Sequence, residues 1–178
     1  MAVKIENTKY QDIPAVFALY DDAIKYQKEV GNNVWLGFEE ELVKKEIDEN
    51  RHYIILLEER IAGAFVVTFR DELIWKFSQD EPAIYLHRIA TAQYARGNDL
   101  LKHIINWAKN YVANNQLSFI RMDTGSGNER LINYYIRCGF SVKNTSTTVN
   151  YTPDLPAHYK DGVFTLLQMP VEGAPSIN

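Results

Sequence analysis

The chain has 178 residues, of which 46% are hydrophobic, 12% aromatic and 24% charged; this is typical of one globular domain and excludes disordered, collagen-like and coiled-coil proteins. The 19 basic and 23 acidic residues give a net charge of -4, so no nucleic acid is expected as a partner. One cysteine, Cys138, excludes an internal disulfide, and no cysteine–histidine array has metal-ligand spacing, so no metal is expected.

The amino-terminal segment lacks the basic and apolar stretches of a signal peptide. No apolar run approaches the ~18 residues that a membrane span requires. We therefore expect a cytoplasmic protein without a membrane partner.

The first half of the chain predicts a strand, two helices and a β-hairpin. Asp12 before Ile13 and Pro14 is typical of a helix start, because the aspartate can accept from a free backbone amide and proline is tolerated in the first turn. Two short β-branched apolar runs that flank a polar turn predict the hairpin. In chain order, the predicted elements are a strand at Val3–Ile5, a helix from Asp12 to the break at Gly31, a helix at Phe38–Asn50, and hairpin strands at His52–Leu57 and Ile61–Phe69.

The second half alternates strands with amphipathic helices. The predicted elements are a loop at Asp71–Glu81, a strand at Ile84–Thr91, a helix at Asp99–Asn114, a strand at Phe119–Asp123, a helix at Asn128–Cys138, and strands at Phe140–Tyr151 and Val163–Met169. We expect one α/β domain over residues 1–170 in the order β-α-α-β-β-β-α-β-α-β-β, followed by a frayed tail at 171–178.

The segment after Thr91 is a candidate anion site. The strand runs through Arg96, Gly97 and Asn98 into a helix, and free amides and the positive end of the helix dipole meet at such a turn. The alternative is an ordinary helix start that Asn98 or Asp99 caps.

Two motifs resemble the GCN5-related N-acetyltransferase (GNAT) family. The family loop Arg/Gln-x-x-Gly-x-Gly/Ala matches residues 96–101, and its Asn, seven-residue step, Tyr-x-x-x-Gly-Phe pattern matches Asn128, Tyr135, Gly139 and Phe140. The resemblance implies a single-domain fold with a mixed, mostly antiparallel sheet of about seven strands, splayed parallel strands 4 and 5, and about four helices.

The resemblance also implies that acetyl-CoA binds as co-substrate. Backbone groups at the end of the fourth strand would pair with its pantetheine arm, and the following loop and helix start would hold its pyrophosphate. The implied cofactor-binding residues are Ile89, Ala90, Thr91, Arg96, Gly97, Asn98, Asp99, Leu100, Leu101, Lys102, Asn128 and Tyr135.

The loop departs from the family pattern at two positions. Asp99 and Leu101 stand where the family has small residues, and a carboxylate ~6 Å from a phosphate would cost roughly 2–3 kcal/mol at an effective dielectric constant of ~20. This departure keeps open an alternative function, that of a degenerate family member that binds acyl-CoA or a partner without transfer.

The resemblance implies acetyl transfer to a primary amine of a small molecule or peptide by direct attack in a ternary complex. Tyr135 matches the tyrosine that protonates the thiolate, and Asp123 stands where ribosomal-protein alanine acetyltransferases have their glutamate base. Other candidates for the base are His87, Tyr85, Glu39 and Glu40. Asp123 could equally be a turn residue.

Two further interpretations stay open. Asp123-Thr124-Gly125-Ser126 has the signature of an aspartic protease, but that chemistry needs a second such aspartate, and a helix follows this one. The aromatic residues Trp35, Phe38, Trp75, Tyr151 and Tyr159 are expected either to line an acceptor groove or to cover the core. The family often forms homodimers, although nothing in this sequence specifies one.

Overall fold

The structure is a computed structural model that describes residues 2–31, 33–77 and 80–172. Residues up to Val67 together with His87–Ile105 form one compact unit, and Thr68–Leu86 together with the residues from Asn106 onward form another. The order of helices and strands is the predicted one. The boundaries of the domain at 1–170 stay a prediction, and most of the predicted tail, 173–178, lies outside the described residues.

Four α-helices occur in the described part of the chain. They are α1 (Ile13–Val30), α2 (Glu40–Asp48), α3 (Leu100–Asn114) and α4 (Glu129–Arg137). As predicted, α1 begins after Asp12 and ends at Gly31, which takes the left-handed φ of 70° that glycine favours. Helix α2 is shorter than predicted at both ends, because Glu39 is extended and Asn50 has a left-handed φ of 55°. None of these helices combines the length and apolar character that a membrane crossing requires.

The strands form a seven-stranded sheet in the order β1-β2-β3-β4-β5-β7-β6. They are β1 (Val3–Asn7), β2 (His52–Leu57), β3 (Arg60–Thr68), β4 (Ala83–Thr91), β5 (Phe119–Gly125), β6 (Ser141–Thr148) and β7 (Val163–Pro170). Strands β2 and β3 form the predicted hairpin, whose turn residues Glu58 and Glu59 have φ of 50° and 67°. The described residues of the predicted loop, 71–77 and 80–81, contain no strand.

Strands β4 and β5 are parallel, as predicted, and their paired positions run from Ala83 with Phe119 to Leu86 with Met122. On its other side, β5 pairs antiparallel with β7. Further along β4, Arg88 has a φ of 48°, which is uncommon for a residue with a side chain and interrupts the regular strand geometry just before the strand end.

Candidate active site

Asp123 lies near the end of β5, opposite Leu166 of β7. Its carboxylate is half-buried, and the Tyr159 hydroxyl donates a hydrogen bond of 3.0 Å to its Oδ2. Burial raises the pKa of Asp123 to about 6, although the Tyr159 hydrogen bond acts in the opposite direction. At neutral pH Asp123 is therefore ionised but close enough to its pKa to accept a proton, as a general base must.

Asp71 is a second carboxylate at this place, and the sequence interpretation missed it. It is 9% exposed, and a carboxylate oxygen of Asp71 lies within 4.8 Å of one of Asp123. Burial, supported by the charge of Asp123, raises the pKa of Asp71 to about 8, while the backbone amide of Ile74 partly opposes the rise. Nothing in the sequence around Asp71 distinguishes it from an ordinary aspartate after a strand.

Tyr135 lies on the buried face of α4 and is 8% exposed. Its ring meets the Phe140 ring edge-on, with 6.2 Å between centroids. Burial raises the pKa of Tyr135 well above its usual range, and nearby Tyr134 and Asp123 add to the rise. The hydroxyl therefore holds its proton at neutral pH and is suited to donate it.

Asn128 is the N-cap of α4. Its side-chain Oδ1 accepts a hydrogen bond of 3.2 Å from the backbone amide of Leu131, which satisfies one of the free donors at the helix start. Cys138 is the C-cap, and Gly139 follows it with a φ of 107°. The second family motif thus supplies both ends of the helix that carries Tyr135.

Two residues of the loop before α3 have a left-handed backbone conformation. Gly97 and Asp99 have φ of 87° and 51°, so Asp99 holds a left-handed conformation at the position where the family has glycine. The Asp99 carboxylate pairs with Lys102, with 2.6 Å between Oδ2 and Nζ, while the Arg96 guanidinium lies 4.3 Å above the ring of Tyr26. The carboxylate that would repel a phosphate is therefore already paired with a cation.

Further residues predicted to hold the cofactor lie at the end of β4, in this loop and in the first turn of α3. Ala90 is buried, Ile89, Thr91 and Asn98 are half-buried, and Leu100 and Leu101 of the first turn of α3 are 4% and 6% exposed. Gly63 lets β3 approach β4 closely, because a Cβ at this position would lie 2.8 Å from the Ala90 carbonyl oxygen. Leu101 is buried in the first turn of α3.

An open depression of about 490 Å³ lies beside the start of this loop. Its lining comprises Ala15, Ala18, Leu19, Asp22, Arg60, Ile61, Ala92, Gln93 and Tyr94. Its charged lining residues are one acid, Asp22, and one base, Arg60. Their opposite charges favour neither an anionic nor a cationic ligand. The loop residues that the resemblance assigns to phosphate binding do not line it.

Tyr85 and Glu40, two of the alternative candidates for the base, have other polar contacts. The Tyr85 hydroxyl is 2.9 Å from Nη1 of the buried Arg121, from which it accepts a hydrogen bond. Glu39 precedes α2 and is exposed, and Glu40 pairs with Lys44 at 2.9 Å. His87 is half-buried on β4. Of these candidates and Asp123, Asp123 has a raised carboxylate pKa and the hydrogen bond from Tyr159.

The aromatic residues divide into core and surface, which decides between the two alternatives for some of them. Trp75 and Tyr159 are 1% and 7% exposed and belong to the same core cluster, so they do not form a surface lining. Trp35 and Phe38 pack edge-on, with 5.4 Å between ring centroids, and Tyr151 is 37% exposed. Tyr159 nevertheless has a polar contact, since its hydroxyl reaches Asp123.

Comparison with known proteins agrees with the fold and the motifs. An N-acetyltransferase of Bacillus subtilis, YesJ, described as uncharacterized, is 22% identical over 139 residues, which cover 74% of this chain and 77% of the relative. An acetyltransferase of the GNAT family from Listeria monocytogenes is 23% identical, with a TM-score of 0.75 over 95% of both chains. N-acetylglutamate synthase from Neisseria gonorrhoeae, solved with coenzyme A and N-acetyl-glutamate, is 19% identical, with a TM-score of 0.57 over 97% of this chain and 36% of that one.

The sequence itself matches the Acetyltransferase (GNAT) family over residues 16–140. This range includes the loop before α3, Asp123 and the whole of α4. Because the match covers the tetrapeptide from Asp123 to Ser126, the interpretation of that segment as an aspartic-protease signature does not hold. The chain belongs to the Acetyltransferase (GNAT) family.

Proposed function

We propose that the protein is an acetyl-CoA-dependent N-acetyltransferase that acetylates a primary amine of a small molecule or peptide by direct attack in a ternary complex. The observation that carries this proposal is that one compact unit of this GNAT-family chain contains a carboxylate, Asp123, and a phenol, Tyr135, whose pKa values lie far apart. Burial raises the pKa of Asp123 to about 6, and the pKa of Tyr135 lies well above its usual range. Such a pair supplies a base and an acid at the same pH.

The loop before α3 supports acetyl-CoA as the co-substrate. Gly97 and Asp99 take left-handed φ angles, and the first turn of α3 presents backbone amides that have no partner within the helix. Arg96 and Lys102 place two positive charges within this segment. The Neisseria gonorrhoeae enzyme, whose fold is similar over 36% of its chain, was solved with coenzyme A. When bound, acetyl-CoA would supply an acetyl group activated as a thioester.

Asp123 would take the proton of the attacking amine, either directly or through a water molecule. The amine nitrogen forms a bond to the acetyl carbon, and the carbon–sulfur bond breaks. Tyr135 would give its hydroxyl proton to the departing sulfur, so that the products are an N-acetylated amine and a free thiol. Tyr135 would regain a proton from solvent, and Asp123 would release one to solvent, which balances the cycle.

No covalent enzyme intermediate is required. Cys138, the one cysteine of the chain, is the C-cap residue of α4 and is half-buried. Direct attack is therefore the route that the residues near Asp123 and Tyr135 support.

A second candidate function is binding of acyl-CoA without transfer, and Asp99 favours it. Its carboxylate stands in the loop that would hold the pyrophosphate, where a negative charge opposes binding. Against this, the carboxylate is already paired with Lys102 at 2.6 Å. The enzyme proposal therefore remains the better supported of the two.

Calorimetric titration with acetyl-CoA, followed by a panel of amines assayed for release of free thiol, tests both functions. The enzyme proposal expects binding and amine-dependent thiol release. Binding without release for any amine would favour the non-transferring alternative. No heat at millimolar acetyl-CoA would contradict both.

A further inference from the structure

Arg88 combines a backbone conformation and a side-chain environment that are both unusual for a residue in a β-strand. It lies on β4, one residue before Ile89, and its φ of 48° is in the left-handed region, which disfavours residues that have a Cβ. Its side chain is 7% exposed although the guanidinium is always charged. Strained backbone conformations persist where surrounding contacts fix them, and they are concentrated at functional sites. The contacts of the Arg88 side chain therefore indicate what fixes its backbone.

The Arg88 side chain is held by a glutamate of α2 and by aromatic rings. Nη2 of Arg88 donates a hydrogen bond to Oε1 of Glu46, whose side chain is 4% exposed, and the two residues form an ion pair. The guanidinium carbon lies 4.8 Å from the centroid of the Phe38 ring and 5.9 Å from that of the Tyr20 ring. Because both charges lose water on burial, such a pair is a weak source of stability. Stability alone therefore does not explain the Glu46–Arg88 pair.

The backbone that follows Arg88 is the segment that the family resemblance assigns to the pantetheine arm of acetyl-CoA, residues 89–91. The end of this segment is held against β3, where the amide of Ala92 donates a hydrogen bond of 2.8 Å to the Ala62 carbonyl oxygen. The Glu46–Arg88 pair and this segment belong to the same compact unit. Because the φ of residue 88 sets the direction of the peptide groups next to it, it also affects where the amides of residues 89–91 point.

We propose that the Glu46–Arg88 pair positions the backbone of β4 for the reaction. Glu46 holds the Arg88 side chain, which keeps residue 88 in its left-handed conformation and thereby directs an amide of residues 89–91 towards the thioester carbonyl of acetyl-CoA. The carbonyl oxygen gains negative charge when the amine attacks, and a fixed amide donor stabilises that charge. Glu46 and Arg88 are positioning residues, because they act through the backbone and do not touch the substrate.

This inference rests on the proposed function, in which the amine attacks the thioester directly. It goes beyond that function because the two motifs that carry the family resemblance include neither Glu46 nor Arg88.

Glycine and alanine at position 88 separate the role of the backbone from that of the side chain. Both substitutions remove the guanidinium, but glycine adopts a left-handed φ readily and alanine does not. The two are compared in proteins that also carry Glu46→Gln, so that neither has a buried carboxylate without its cation. Turnover should fall on the order of 10²-fold in Glu46→Gln/Arg88→Ala, as it does when an oxyanion donor is lost.

Turnover of Glu46→Gln/Arg88→Gly should be about tenfold higher than that of the alanine protein, because the left-handed conformation costs alanine roughly this factor. A glycine protein that is no more active than the alanine protein would overturn the proposal.

The loss should lie in kcat more than in cofactor binding, because the amide donor acts on a charge that develops in the transition state. Calorimetric titration with coenzyme A, which has no acetyl carbonyl, measures binding separately. The Kd for coenzyme A should change by a smaller factor than turnover does in both double variants. Unchanged kcat with weakened binding of coenzyme A would mean that the pair serves the pantetheine arm instead of the reacting carbonyl, and would contradict the proposal.

NMR tests the conformation of residue 88 without any assay of activity. The three-bond coupling between the amide and α protons of Arg88 reports its φ, which should be left-handed in wild type and extended in Glu46→Ala. A left-handed Arg88 in folded Glu46→Ala would be incompatible with the proposal. If Glu46→Ala does not fold, the two double variants still test it. A protein without transferase activity in which Glu46→Ala changes the φ of Arg88 would refute the proposed function and leave the positioning of β4 by Glu46 intact.

Glu58 provides the matched control. It is exposed, lies in the turn between β2 and β3, and also has a left-handed φ, of 50°. Glu58→Ala and Glu58→Gly should both have the turnover of wild type, although the glycine variant should be the more stable of the two. If turnover also followed glycine over alanine at this residue, activity would report backbone strain in general, and the role of the Glu46–Arg88 pair would be disproved. Thermal unfolding verifies that each variant is folded.

Discussion

The Tyr159 hydroxyl donates a hydrogen bond of 3.0 Å to Oδ2 of Asp123, so a residue from the loop before β7 contacts the candidate base on β5. This hydrogen bond lowers the pKa of Asp123, against the larger effect of burial, which raises it. Tyr159 is itself packed in the core beside Phe164, with 4.9 Å between ring centroids. The ring therefore fixes the hydroxyl, and the hydroxyl stabilises the charge of the base.

Replacing Tyr159 with phenylalanine should raise the pKa of Asp123. A hydrogen bond contributes about 0.5–1.5 kcal/mol, which corresponds to an increase of roughly 0.4–1.1 in pKa. The acidic limb of kcat/KM against pH should move upward by that amount, and the rate well above pH 8 should change little. Tyr151→Phe, at an exposed tyrosine, is the control. An unmoved limb in Tyr159→Phe would mean that Asp123 is not the group whose ionisation limits the rate.

Tyr135→Phe should remove the acid that protonates the leaving sulfur. Because general acid catalysis contributes on the order of 10²-fold or more, turnover should fall by that factor with little change in the affinity for acetyl-CoA. Steady-state kinetics and calorimetric titration measure the two effects separately. Tyr134→Phe, at the adjacent half-buried tyrosine, should retain near-normal turnover. Equal turnover in wild type and Tyr135→Phe would assign the proton donor to another group.

The fold was largely predictable because its signals are local. Periodic apolar residues and a helix-start pattern located α1, and the two hydrophobic runs around Glu58 and Glu59 located the hairpin. The errors are at element ends, as at α2, where the left-handed φ of Asn50 ends the helix earlier than the pattern of side chains suggests. Conformation at a single residue leaves little trace in the hydrophobic pattern.

The candidate site was predicted only where the family resemblance marks it. Asp123, Asn128 and Tyr135 come from that resemblance, and Asn128 is the N-cap of α4. Asp71 could not be found in this way, because a segment without regular structure brings it near Asp123, and such a segment has no periodic signal. For Trp75 the sequence left two alternatives open, a groove lining and core cover, and its exposure of 1% agrees with core cover.

Neutralising Asp99 should strengthen acetyl-CoA binding. The gain in affinity should be smaller than it would be if the Asp99 carboxylate had no cation beside it. Asp99 is paired with Lys102 and its side chain is 55% exposed, so solvent screens much of its charge. We expect Asp99→Asn to raise the affinity a few-fold at low salt, with the gain shrinking as salt increases. Asparagine tolerates the left-handed φ of 51°, so this variant changes charge and keeps the backbone.

Asp99→Gly then tests the backbone contribution, because glycine is the residue that this conformation favours. Its affinity should equal or exceed that of Asp99→Asn. Asp161→Asn is the matched control, since Asp161 is also exposed and has a φ of 58°. Weaker binding in both Asp99 variants would show that the Asp99–Lys102 pair helps to hold the cofactor loop.

His52 should make the stability of the protein depend on pH. The Thr8 hydroxyl lies 2.7 Å from its Nδ1 and the Tyr20 hydroxyl 2.8 Å from its Nε2, both in a buried setting. Burial, with the charges of Arg88 and Arg51, lowers the pKa of His52 to about 3, against about 6.5 in the unfolded chain. Between these values the unfolded state binds more protons, so the free energy of unfolding falls as pH decreases through this window.

The contribution of His52 can reach about 1.4 kcal/mol per pH unit. Other groups contribute in the opposite direction: the raised pKa of Asp71, for example, makes stability fall as pH increases. Chemical denaturation of wild type and of His52→Gln from pH 7 to pH 4 isolates the contribution of His52, because the other groups are common to both proteins. The variant should be less stable than wild type at pH 7. The difference between their free energies of unfolding should decrease steadily towards pH 4. His103→Gln, at an exposed histidine, is the matched control variant. If the difference between wild type and His52→Gln also stays constant, the pKa of His52 in the folded protein is not lowered from its value in the unfolded chain.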